Sequence, residues 1–122
     1  DPDSTVRFLV QDARARCLLT SLVACLFARS VYKQETIAQC FKALGFSQLA
    51  DNLELKAEEV QKLRWRARFR SGYRPEDIRI PKRFTEVQTW KGAIEVQRLD
   101  EVRAKYQQAI KELGAPEKQG GA

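Results

Sequence analysis

The sequence predicts an all-α protein with one long irregular segment ahead of its last helix. Three observations lead there. Apolar residues recur at helical spacings of three, four and seven over most of the chain, no stretch alternates cleanly as a half-buried strand does, and the glycines and prolines fall outside the periodic stretches.

The first periodic stretch runs from Thr5 to Arg29. Phe8, Leu9, Cys17, Leu18, Leu19, Leu22, Val23, Leu26 and Phe27 recur at helical spacing, with Ser4 placed as an N-cap. Beyond Cys17 the residues are almost continuously apolar, which predicts a buried second half. Gln34 to Leu44 reads as a second amphipathic helix with Ile37, Phe41 and Leu44 on one side and Gly45 as its stop. Phe46 to Leu55 reads as a short helix or turn. Lys56 to Arg70, "KAEEVQKLRWRARFR", is a third helix with its acids first and its bases last, as the helix macrodipole favours. Gly72 ends it.

From Tyr73 to Val96 helical periodicity is lost. Pro75 and Pro81 bias Arg74 and Ile80 towards extended backbone, and a segment of this length is ordered only if it packs against something. Trp65 and Trp90 are expected to pack there. Arg98 to Leu113 is the last helix, with Leu99, Val102, Tyr106, Ala109, Ile110 and Leu113 at helical spacing and Gly114-Ala115-Pro116 as its stop. Residues 115–122 read as a polar tail.

At 122 residues the chain has the size of one domain, so residues 1–122 are read as a single helical domain. It contains no methionine and opens on Asp1, which suggests a fragment or processed product of something longer. The three cysteines, Cys17, Cys25 and Cys40, are an odd number without C-x-x-C spacing. That argues against a disulfide framework and for a reducing, cytoplasmic setting. No apolar run reaches the roughly 18 residues of a spanning helix, and no signal-peptide pattern is present.

The net charge is +6, and the stretch Arg64 to Arg83 accounts for all of it. A cluster of this kind suits phosphate or an acidic partner. Arg64, Arg66, Arg68 and Arg70 alternate, however, so on a helix successive members lie about 200° apart and form no single stripe. A small basic helical module that binds nucleic acid or an acidic protein is therefore the second reading, and nucleic acid the less favoured partner. Enzymatic chemistry is hard to assemble from this chain alone. It has no histidine, hence neither the usual general base nor the commonest metal ligand. Neither glycine-rich phosphate loop occurs, and the carboxylate pairs Glu58-Glu59, Glu76-Asp77 and Asp100-Glu101 are sequence neighbours that do not face one another on a helix. No complete active site is visible.

Two groups of residues carry a resemblance. Gly72-Tyr73, Asp77, Ile80-Pro81-Lys82-Arg83-Phe84 and Thr89-Trp90-Lys91-Gly92 follow the arginine-rich helix, and upstream "SLVACLF" is followed about ten residues later by "ETIAQCFKALG". In this order they resemble the C-terminal part of the tungsten-dependent aldehyde:ferredoxin oxidoreductase family, from roughly Asp12 to Leu113. The resemblance implies an all-α C-terminal domain of a larger enzyme, inactive alone. The intact parent would carry a tungsten or molybdenum bis-pterin and a [4Fe-4S] cluster, and would oxidise an aldehyde or related compound. Electrons would pass through the cluster to ferredoxin or an electron-transfer subunit.

Within the resemblance, Cys25 falls on the cysteine of a motif like D-x-x-G-L-C that supplies the fourth cluster ligand, flanked by Ala24 and Leu26 as cofactor-binding neighbours. Thr20 stands at the motif's Asp, Val23 at its Gly and Ala24 at its Leu; Arg68 stands where the family often has Asn. The departures imply an altered cofactor environment or a substrate other than a simple aldehyde. Cys17 and Cys40 are assigned to core packing.

Overall fold

A computed structural model describes residues 1–90 and 92–116. Among them are six α-helices and no strand: α1 (Pro2–Ser21), α2 (Gln34–Ala43), α3 (Ser47–Asp51), α4 (Leu53–Arg70), α5 (Arg83–Glu86) and α6 (Val96–Leu113). Two short 3-10 turns, Leu26–Ala28 and Pro75–Asp77, and one isolated bridge between Thr89 and Gly92 complete the regular structure. The protein is all-α. No described helix is long and apolar enough to cross a membrane. The polar tail expected over 115–122 lies, from residue 117 on, outside the described residues.

The chain forms two compact units. One comprises residues 11–63; the other comprises residues 1–10 together with the described residues from 64 to 116. In the middle unit, Leu18 and Leu19 of α1, Ile37 of α2, and Leu53 and Ala57 of α4 form the buried core, with Ala38 and Phe41 packed against it. In the other unit Ile110 of α6 is fully buried and Trp65 of α4 nearly so. The Trp65 ring lies 5.8 Å from both Phe69 and Tyr73, and Phe69 and Tyr73 stack at 6.4 Å. The segment after α4 is tied down from α6: Gln107 Nε2 donates to the Pro75 carbonyl at 2.9 Å, and Lys111 pairs with Glu76.

The first helix departs from the sequence expectation at both ends. Its cap is Asp1, whose carboxylate accepts the Ser4 amide at 3.0 Å, while the Ser4 hydroxyl donates to the Asp1 carbonyl. A carboxylate one turn earlier outcompetes a serine because it satisfies an orphan amide and also favours the positive end of the dipole. At the other end the helix stops at Ser21, eight residues short of Arg29. The cause is a Schellman motif: the Ala24 amide donates to the Leu19 carbonyl at 2.9 Å and the Val23 amide to the Thr20 carbonyl at 3.2 Å. Leu22, Val23 and Phe27 are consequently exposed, Val23 by 93% and Phe27 by 96%, where a buried helical half was expected.

The same motif closes α2 and α4. Phe46 donates to Phe41 and Gly45 to Lys42; Tyr73 donates to Arg68 and Gly72 to Phe69. In each case the residue after the last helical turn has positive φ, 86° at Gly45 and 87° at Gly72. Those stops are where the sequence placed them, because glycine adopts this conformation without a Cβ penalty. Trp90 differs from its expected packing role and is 90% exposed.

Candidate functional site around Cys25

The turn after α1 has one unusual residue. Val23 is the one described non-glycine residue with positive φ, 55°, and it occupies the C-cap position that Gly45 and Gly72 hold in the other two motifs. A β-branched side chain in left-handed backbone costs about 1–2 kcal/mol. The cost is tolerated because the turn is fixed on both sides. Leu19 is in the core, and Ala24 and Leu26 pack against that core from beyond the turn.

Between these two inward anchors lies Cys25, extended at φ −68° and ψ 122°, so its neighbours face one way and its own side chain the other. Its thiol is exposed. Its carbonyl accepts the Ala28 amide at 3.1 Å and so starts the Leu26–Ala28 turn. The local design is an outward thiol held between two partly buried side chains that pack on the core.

The buried segment in which the sequence placed Cys25 is therefore corrected to an exposed turn. Cys40, assigned to the core, is exposed on α2; Cys17 is buried as expected. Cys25 and Cys40 are free thiols. Among the described residues, no three Cys, Asp or Glu side chains converge as a metal-binding group. The Thr20 hydroxyl, expected from the resemblance to stand at an acidic position, lies 2.9 Å from the Arg16 carbonyl and 3.1 Å from that of Cys17, so its proton is directed back into its own helix. Thr20 offers no charge to a cofactor.

One polar hub was not visible in the sequence. Arg14 of α1 donates through Nε to Gln61 at 3.2 Å, and its two terminal nitrogens reach Glu54 at 2.8 Å and Glu58 at 3.2 Å. Gln61 is 2% exposed. Lys62 also pairs with Glu58, at 2.7 Å. The hydrogen bond from Lys62, with the charges of Arg14 and Lys62, holds the Glu58 carboxyl below its ordinary range against the opposing effect of burial. This hub clamps the α1 segment that leads into the Cys25 turn onto α4, within the middle unit.

The arginine row on α4 is partly accounted for by local contacts. The Arg68 guanidinium lies 4.9 Å from the Trp65 ring centroid, and past the helix Arg74 pairs with Asp77 at 3.1 Å. Arg68 and Arg74 are thus each engaged by a local partner of their own.

Comparison with known families identifies this helical chain as an oxidoreductase domain. Residues 1–117 match the family model described as "Aldehyde ferredoxin oxidoreductase, domains 2 & 3". The chain belongs to the aldehyde ferredoxin oxidoreductase family. No curated protein and no solved structure matches it.

Proposed function

We infer that this chain is a helical domain of a larger aldehyde-oxidising enzyme and that Cys25 gives one thiolate to a [4Fe-4S] cluster completed by ligands elsewhere in the parent. The observation that carries this reading is the turn itself. A residue where the family motif has glycine adopts glycine's backbone conformation, and two residues later a thiol is held outward between Ala24 and Leu26.

The donor set fits a share of a cluster. Such a cluster takes four thiolates, while Cys17 is buried and Cys40 lies on α2. Cys25 is thus suited to be a single ligand. Ala24 and Leu26 turn their side chains to the core, so their contribution to a cofactor would run through the main chain on either side of the thiol. When bound, the metallopterin and cluster supply the oxidation of the aldehyde to the acid and the exit of its electrons. The chain's own residues position the thiolate and wall the substrate channel.

On this reading the parent is cytoplasmic and carries a tungsten or molybdenum bis-pterin. Its electrons go to ferredoxin or a partner subunit, and the isolated chain is inactive. The test is the intact protein with Cys25→Ser, Cys17→Ser and Cys40→Ser. Serine oxygen replaces thiolate on iron poorly, so Cys25→Ser should lower iron content and alter the cluster's EPR signal, while the other two retain both. A full, normal cluster in Cys25→Ser refutes the assignment.

A further inference from the structure

Two grooves in the middle unit adjoin at one side chain. The larger, about 460 Å³, is bounded by Val31, Tyr32, Ile37, Cys40, Phe41 and Leu44 and reaches Val23 and Ala24. Its lining carries no charged residue. The smaller, about 250 Å³, shares Tyr32 and is edged by Arg16, Arg29 and Lys33, with Asp12 as the one acid. Asp12 pairs with Arg16 at 2.6 Å. Arg29 and Lys33 have no carboxylate partner among the described residues.

The two grooves thus offer an apolar surface and, sharing Tyr32 with it, a second surface edged by two cations that have no carboxylate partner among the described residues. An apolar face alone fits any hydrophobic cover; the adjoining excess positive charge selects what lies at one end. From this complementarity we propose that the paired grooves bind an amphiphilic carboxylate, with its hydrocarbon part between α2 and the turn at Val23 and its carboxylate at Arg29 and Lys33. Tyr32 lies at the junction, where the ligand changes from apolar to charged. The site stands independently of the assignment of Cys25 to a cluster.

The test is calorimetric binding to the intact protein of octanoate, decanoate, decanol and decyltrimethylammonium. Each buried methylene tightens binding about fourfold, so decanoate should bind roughly fifteen times more tightly than octanoate. The ion pair should favour decanoate over decanol by about fivefold, a preference that falls away in 1 M salt. The cationic amphiphile should bind weakest. The double substitution Arg29→Gln, Lys33→Gln should abolish the preference for decanoate over decanol while leaving decanol binding intact. Leu44→Glu, at a side chain 71% exposed, should weaken decanoate by removing an apolar wall and adding a like charge, with helix content unchanged by circular dichroism.

Equal affinity for decanoate and decanol would make this a plain apolar face and overturn the proposal. So would decanoate binding unaffected by Leu44→Glu, which places the ligand elsewhere. Absence of binding by any of the four means that protein covers the grooves. Binding of an acidic amphipathic peptide without decanoate identifies a protein-docking surface, and concentration-dependent dimerisation that blocks the probes identifies a second copy as the occupant; each refutes the ligand assignment.

Discussion

Replacing Val23 by glycine should stabilise the protein. Val23 is held at φ 55° by a pair of hydrogen bonds that end α1, and left-handed backbone costs an L residue about 1–2 kcal/mol. Glycine removes that strain but adds about 0.4–1 kcal/mol of conformational entropy lost on folding. Because Val23 is 93% exposed, little packing is lost with its side chain. The net gain is about 0.5–1 kcal/mol. At about 2.1 cal/mol/K of unfolding entropy per residue, a chain of 122 residues converts this into a rise in Tm of roughly 2–4 °C.

The assay is a thermal melt followed by circular dichroism. Two controls isolate the cause. Val23→Ala keeps a Cβ at positive φ and should gain less than the glycine variant. Gly45→Ala and Gly72→Ala should each destabilise by about 1 kcal/mol, because both positions have positive φ and open space around a new Cβ, so the cost there is conformational, not steric. If Val23→Gly leaves Tm unchanged or lowers it while the two Gly→Ala variants behave as stated, the conformation assigned to Val23 is wrong.

Other outcomes follow from single contacts. A Cβ at Gly114 would collide with the Phe69 ring, which is flanked by Trp65 and Tyr73; Gly114→Ala should therefore cost about 1–3 kcal/mol by denaturant titration. Glu58 has a depressed carboxyl pKa, so its contribution is present above the unfolded value near 4.5 and is lost as pH falls through the lower folded value; Glu58→Gln should flatten the acid side of the stability profile. Arg14→Leu should destabilise by about 1–3 kcal/mol, because it takes a donor from nearly buried Gln61 and the partner from two carboxylates. Binding to duplex DNA should be weak, indifferent to sequence and nearly abolished by moderate salt; tight, sequence-selective binding at physiological salt would favour the basic-module reading.

What could be read in advance follows from which forces are local. The ends of α2 and α4 were legible because glycine marks left-handed caps, and α6 because its apolar spacing is regular up to Leu113. The end of α1 was not legible. Its cap is a valine in the middle of an apolar run, and a run of that kind carries no mark that separates buried Leu19 from exposed Phe27. The Arg14 hub was hidden for another reason. Glu54, Glu58 and Gln61 share a face of α4 by their spacing of four and three, but nothing local says that an arginine forty residues earlier will meet them.

On the proposed reading, in which Cys25 stands at the cysteine of the family motif, the three departures around it differ in physical consequence. Valine for glycine strains the turn but leaves its path unchanged, since the hydrogen bonds from Val23 and Ala24 are those that Gly45 and Phe46 make after α2. Alanine for leucine shortens an inward anchor, yet Ala24 still packs on the core. Threonine for aspartate is of another kind: it deletes a charge and directs its remaining hydroxyl proton into the helix. The elements that aim a thiol outward are thus present at a modest cost in strain, while the carboxylate beside it is not. A cluster ligand needs only the first. Contact with a pterin through the motif's acidic position needs the second, so any cofactor contact on this turn would have to come from the thiolate and the main chain around it.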